Sequence, residues 1–149
     1  MHPFDLKAAV FAKHAQHVVL IHFPIALFIA GVAFDFLAQW KKERLLAAAA
    51  YYNFFAAALA TLPVLITGIL AWQWQLEAQR LKGILLMHLV LGALTSLLIW
   101  SAWLLHWRAR RKPDRALPSY RWPIEVVAVA LVTVTGHLGG FLSGVNGPG

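Results

Sequence analysis

Four long apolar runs dominate the sequence, and they leave few folds open to the chain. They cover about residues 17–40, 46–72, 83–107 and 122–144. Each run exceeds the roughly 20 helical residues that cross a hydrocarbon core. None alternates polar and apolar residues, as the strands of a membrane barrel do. The sequence therefore predicts an all-α integral membrane protein with four transmembrane helices.

Composition supports a membrane location for the whole chain. Hydrophobic residues make up 60% of it and charged residues only 13%, whereas a soluble domain has about 45–50% and about 25%. A chain of 149 residues has too little interior to bury this much apolar surface in water. We predict one membrane domain over residues 17–149. Residues 1–16 precede it as an amphipathic segment on the outer surface.

Basic residues predict the orientation. The first loop carries Lys41, Lys42 and Arg44, and the third carries the basic residues from Arg108 to Arg121. The positive-inside rule places both loops in the cytoplasm, so that both termini face outward. Short loops favour antiparallel neighbours, which predicts an N-out/C-out up-and-down bundle in a bacterial inner membrane. Because the net charge of +7 is concentrated in loops, we do not predict a nucleic-acid partner.

Three histidines fall at one depth. His22, His88 and His137 lie on three different runs, roughly 7–11 Å inside the outer end at the helical rise per residue. His17 lies above them at the rim. One buried histidine usually bonds to a neighbouring carbonyl. Three at one depth favour a shared metal or cofactor, because intramembrane ionisable groups cluster at functional sites.

The candidate metals for these histidines are zinc, copper, nickel and haem iron, all of which imidazole suits. The chain has no cysteine, and a structural zinc site prefers four protein ligands. A haem b needs two axial ligands and a wall of small residues. Small residues also mediate ordinary helix packing, but beside the histidines they favour haem. The glycines near this depth are Gly68, Gly92, Gly136 and Gly140.

The predicted axial pair is His22 and His88, because the first and third spans of an up-and-down bundle are diagonal. His137 is the substitute ligand, or a partner for a propionate or a quinone. His17 with His137 forms the fallback pair.

Asp35 and Glu125 are the acidic residues of the spans near the cytoplasmic end. The favoured interpretation pairs Glu125 with Arg121, one turn earlier, and Asp35 with partners in the loops. The alternative is that they carry protons to a quinone.

The elements His22-Phe23-Pro24-Ile25-Ala26-Leu27 and Thr135–Gly140 resemble those of DUF2231, a bacterial family of four-helix membrane proteins named as a domain of unknown function. Phe34-Asp35, Thr67-Gly68 and His88 are similar to further family positions. The resemblance implies a four-helix membrane fold. Members are similar to pieces found beside cytochrome c or Rieske-type modules, which implies redox chemistry.

The leading functional prediction is a b-type haem subunit that passes electrons between a periplasmic redox partner and the quinone pool. If it is part of an enzyme, it is the electron-transfer subunit of an oxidoreductase complex. Two alternatives stay open: a cofactor-free anchor or assembly subunit of a larger membrane complex, and a histidine-based zinc or copper site. No triad, phosphate loop or activated nucleophile indicates hydrolysis or phosphoryl transfer.

Overall fold

A computed structural model describes residues 15–74, 76–114 and 116–144. The predicted segment over residues 1–16 lies, apart from its last two residues, outside this part of the chain. The regular elements in the described part are all α-helices. They are α1 (Ala15–Leu20), α2 (His22–Lys41), α3 (Arg44–Trp74), α4 (Gly83–Arg110) and α5 (Arg121–Leu142).

Four of the described stretches are long and apolar enough to cross a membrane: Gln16–Lys41, Arg44–Trp74, Gly83–Arg110 and Arg121–Leu142. Many of their large apolar side chains point outward, and Phe23, Leu97 and Val126 are each more than half exposed. Such surfaces suit lipid rather than water. The prediction of an all-helical, four-span membrane protein is confirmed. The protein lies in a lipid bilayer.

The first span is interrupted at Ile21, which separates α1 from α2. Pro24 has no amide hydrogen to donate to the Leu20 carbonyl, and its ring crowds the preceding turn. The backbone bond from the Ile25 amide to the Ile21 carbonyl is stretched to 3.5 Å. The proline therefore accounts for a short separate helix, α1, that carries His17.

The helices pack as two hairpins. The α2 helix packs along α3 and α4 packs along α5, while α3 also packs on α4 and α2 touches α5. This neighbour order places the first and third spans on a diagonal, as an up-and-down bundle requires. We call the end that carries Ala15 the N-terminal end of the bundle. The other is the opposite end.

The apolar core occupies the half of the bundle nearer the opposite end. Its fully buried aromatic residues are Phe28 and Phe54, and small residues such as Ala57 and Ala128 surround them. Gly31 admits the Phe54 ring, because a Cβ atom at Gly31 would lie 2.8 Å from Phe54 Cδ1. Close packing is thus concentrated in this half, and the N-terminal half holds a cavity between the hairpins.

Gly31→Ala should destabilise the bundle by about 1–3 kcal/mol, the usual cost of overpacking a filled core. Phe54 is fully buried, and its ring packs against the rings of Phe28 and His106. Reversible unfolding in mixed micelles measures the change. Gly92→Ala is the matched control, since its Cβ would lie 3.8 Å from Thr135 Cγ2, an ordinary contact. Equal stability of the two variants would contradict the prediction.

Candidate functional site

A cavity of about 540 Å³ opens at the N-terminal end of the bundle, between the two hairpins. Its volume falls in the range of about 300–1,000 Å³ that is typical of cofactor and ligand sites. All four spans line it, and most of the lining is apolar. The histidines and glycines of the lining are His17, His22, His88, Gly68, Gly92, Gly136, Gly139 and Gly140.

His17 and His88 face each other in this cavity. Their ring centroids are 6.5 Å apart and their planes are nearly perpendicular, at 88°. An imidazole nitrogen lies about 2 Å from a bound metal ion, so one ion held between two rings separates their centroids by roughly 6 Å. One ring comes from each hairpin. The pair therefore has the spacing of two axial ligands on a single metal.

The hydrogen bonds of both rings assign the same tautomer. The Nδ1 of His88 lies 3.0 Å from the Thr135 carbonyl oxygen, to which it can only donate. The Nδ1 of His17 lies 3.2 Å from Thr67 Oγ1. Because this hydroxyl donates its own proton to the Pro63 carbonyl at 2.8 Å, it accepts from His17. Each ring thus carries its hydrogen on Nδ1 and its lone pair on Nε2, the usual arrangement of a metal-ligating histidine.

Two glycines hold the rings in place. A Cβ atom at Gly68 would lie 3.0 Å from Cε1 of His17, and one at Gly139 would lie 3.1 Å from Cε1 of His88. Both distances are tighter than ordinary van der Waals contact. Each hairpin therefore supplies a histidine from one helix and a glycine from its neighbour, so that the ring packs directly against backbone.

His22 and His137 are placed differently. His22 lines the cavity, but its side chain is exposed and its Nδ1 donates to the Val18 carbonyl at 2.7 Å. His137 is exposed and packs on Phe141 with ring centroids 5.0 Å apart. It is not part of the cavity lining. The structure therefore brings His17 to His88, whereas the sequence predicts a pair of His22 and His88.

The predicted pairing of Glu125 with Arg121 is wrong. The Oε1 atom of Glu125 lies 3.1 Å from Nε2 of His106, and Nε of Arg121 donates to Oδ2 of Asp35 at 2.8 Å. Both pairs are buried at the opposite end of the bundle. The partners come from neighbouring spans, because these side chains point into the bundle.

The family described as "Predicted membrane protein (DUF2231)" matches residues 13–147. The chain belongs to this family. The matched range contains His17, His88, Gly68 and Gly139, and it confirms the resemblance seen in the sequence. The family description states a membrane location and no activity. No curated protein and no solved structure is detectably similar to the chain.

Proposed function

We propose that the cavity binds a b-type haem between His17 and His88, and that this DUF2231 protein passes electrons between a periplasmic redox partner and the quinone pool. One observation carries the proposal. Two imidazoles, one from each hairpin, lie in the lining of a cofactor-sized cavity with ring centroids 6.5 Å apart. Their Nδ1 atoms bond to groups of neighbouring helices, and the proposal assigns Nε2 of each ring as the ligating nitrogen.

The lining favours a haem over a bare metal ion. Zinc takes at least three protein ligands. The facing pair supplies two, and the third imidazole of the lining, His22, is exposed and bonds to its own helix. A porphyrin brings four equatorial nitrogens of its own, so that two histidines complete the coordination. The mostly apolar walls, with Gly92, Gly136 and Gly140 among them, suit the faces of a macrocycle.

In this proposal the protein's residues hold, orient and bury the cofactor, and the haem supplies one-electron chemistry. Thr67 and the Thr135 carbonyl fix the two ring orientations. Gly68 and Gly139 set how close each ring lies to its neighbouring helix. The predicted orientation puts the cavity in the outer half of the membrane, within reach of a periplasmic partner.

An absorption spectrum and metal analysis of the purified full chain, expressed with haem available, test the proposal. We expect about one haem iron per chain and a Soret band that shifts on reduction. A protein that stays free of iron after incubation with hemin contradicts the proposal. Zinc or copper that is bound without a Soret band and is lost in His17→Ala or His88→Ala would instead support a bare metal ion in the cavity.

The cofactor-free anchor is the second candidate, and one observation favours it. His22 and His88 both donate to backbone carbonyls, as histidines that serve only in packing would. The same spectrum decides between the two functions. An anchor gives a colourless protein in which no bound metal depends on His17 or His88.

Gly139→Ala should weaken haem binding on the order of 10-fold, although both histidines remain, since groups that orient a metal ligand typically contribute 10–100-fold. The new methyl group would lie 3.1 Å from Cε1 of His88 and push the ring away. Val134→Ala on the same helix is the matched control, because Val134 is exposed and is not part of the cavity lining. Haem titration followed at the Soret band measures both affinities. Equal affinities would show that Gly139 does not set the position of His88.

A further inference from the structure

Four ionisable side chains from three spans meet at the opposite end of the bundle. Asp35 comes from α2, His106 from α4, and Arg121 and Glu125 from α5. Their exposed fractions lie between 0% and 4%. Ionisable groups inside a membrane protein are costly and usually mark a function. This cluster is separate from the haem cavity, and none of its members lines that cavity.

The two contacts within the cluster involve one oxygen of each carboxylate and leave the other oxygen without a bond. Arg121 bonds Oδ2 of Asp35, and His106 contacts Oε1 of Glu125. The remaining oxygens, Asp35 Oδ1 and Glu125 Oε2, are buried and have no hydrogen-bond partner among the described residues. A buried charged oxygen without a partner carries its full desolvation cost. Nη2 of Arg121 is a third buried atom of the cluster without a partner among the described residues. Because two carboxylates meet one guanidinium, a positively charged occupant would offset the remaining negative charge.

The ligand atoms converge. One nitrogen or oxygen from each of Asp35, His106 and Glu125 lies within 4.8 Å of the other two. Ligands about 2.0–2.2 Å from a zinc ion lie about 3–4 Å from each other. His106 Nε2 and Glu125 Oε1 are already 3.1 Å apart. Movements of about an ångström would bring all three atoms onto one ion.

We propose that Asp35, His106 and Glu125 form a binding site for a divalent transition-metal ion. One imidazole and two carboxylates suit zinc, ferrous iron and manganese. With a neutral imidazole the four residues carry a net charge of −1, so a divalent ion brings the cluster to +1 and neutralises both carboxylates. Arg121 holds Asp35 through Oδ2 and leaves Oδ1 for the ion.

The surroundings complete the site. The Phe54 ring from α3 packs on His106 with centroids 4.7 Å apart, and it closes the cluster on the side of the remaining span. Three protein ligands leave a fourth position of a tetrahedral ion for water or a small anion. The site does not depend on the haem proposal, because the two share no residue.

Zn²⁺ and Co²⁺ binding to the purified, chelator-treated full chain in lipid nanodiscs tests the site. We expect one ion per chain, a Co²⁺ absorption spectrum with nitrogen and oxygen ligation, and a Zn²⁺-dependent rise in the unfolding midpoint. His106→Gln and Glu125→Gln should each lower Zn²⁺ affinity at least about tenfold, in line with the loss of a coordinating group. His88→Ala is the matched control and should leave it unchanged.

Three outcomes would overturn the proposal. A wild-type chain that binds no Zn²⁺ and gains no stability from it holds at most a proton or water in the cluster. An ion retained by His106→Gln but lost in His88→Ala lies in the haem cavity. Undiminished affinity in both cluster variants removes their residues from the coordination sphere. The wild-type measurements need no variant to fold.

Discussion

Replacing His88 with alanine should abolish haem binding, with loss of the Soret band in protein that remains folded. His88 is the third-span member of the facing pair, and its Nδ1 bonds to the Thr135 carbonyl, so that Nε2 is the nitrogen the proposal assigns to the haem. Without it, one axial position has no imidazole at the spacing of 6.5 Å. His17→Ala should have the same effect. Absorption spectra and a pyridine haemochrome assay of each purified variant measure haem per chain.

Two other histidines provide the controls. His137→Ala removes an exposed imidazole that packs on Phe141, outside the cavity, and should leave haem content at the wild-type level. His22→Ala removes an exposed member of the lining whose Nδ1 is bonded to its own helix, and we expect it to retain haem. Loss of haem in His22→Ala with retention in His17→Ala would instead establish the His22–His88 pair.

The difference between these two pairs shows what sequence alone could supply. Depth along a helix follows from counting residues, and on that basis His22 matches His88. Counting residues for depth does not show in which direction around the helix axis a side chain points. His17 and His22 are five residues apart, which turns their side chains by about 140° at 3.6 residues per turn. Here α1 packs on α3, so that His17 is the one that meets Gly68.

The same reasoning explains His137 and its neighbouring glycines. Gly136, Gly139 and Gly140 are three or four residues apart and share one helical face, which lines the cavity. His137 is turned about 100° from Gly136 and about 60° from Gly140, at the edge of that face. Glycines spaced at one helical turn were therefore a usable signal for the cavity wall, whereas spacing alone did not decide on which side His137 points.

The spans themselves were predictable because length and apolarity are strong local signals. The third predicted run ends at about Trp107, whereas α4 continues to Arg110. Its last turn carries Arg108 and Arg110, and Arg110 lies over the Tyr51 ring at 4.3 Å. Long basic side chains can extend a helix beyond the apolar run while their charged ends reach the membrane surface.

The buried ionic cluster was not predicted, although a signal for it existed. Asp35, His106 and Glu125 each lie within about two turns of the helix end at the same side of the bundle, on three different spans. Their common depth in the bundle is a signal of the same kind as the common depth of His22, His88 and His137. Local spacing pointed to Arg121 with Glu125 instead. Where side chains face the interior of the bundle, contacts with neighbouring spans decide which residues pair, and spacing along one helix does not.

Arg121→Met should destabilise the bundle by roughly 3–5 kcal/mol, the cost of leaving a buried charge without its partner. Among the described residues, Arg121 is the cation that bonds Asp35. Its loss changes the net charge of the cluster from −1 to −2 and leaves two buried carboxylates side by side. Asp35→Asn changes the net charge from −1 to 0, so we expect a smaller loss. Unfolding in mixed micelles, with chelator present, measures the free energy of unfolding of each variant.

Arg110→Met is the matched control, since it removes an exposed arginine stacked on Tyr51 and should cost about 0.5–1 kcal/mol. Equal losses in the two arginine variants would mean that the buried pair does not stabilise the bundle. If the cluster holds a divalent ion, Zn²⁺ should restore more stability to Arg121→Met than it adds to the wild type. In that variant the ion changes the net charge of the cluster from −2 to 0. In the wild type it changes the net charge from −1 to +1, which leaves one buried positive charge.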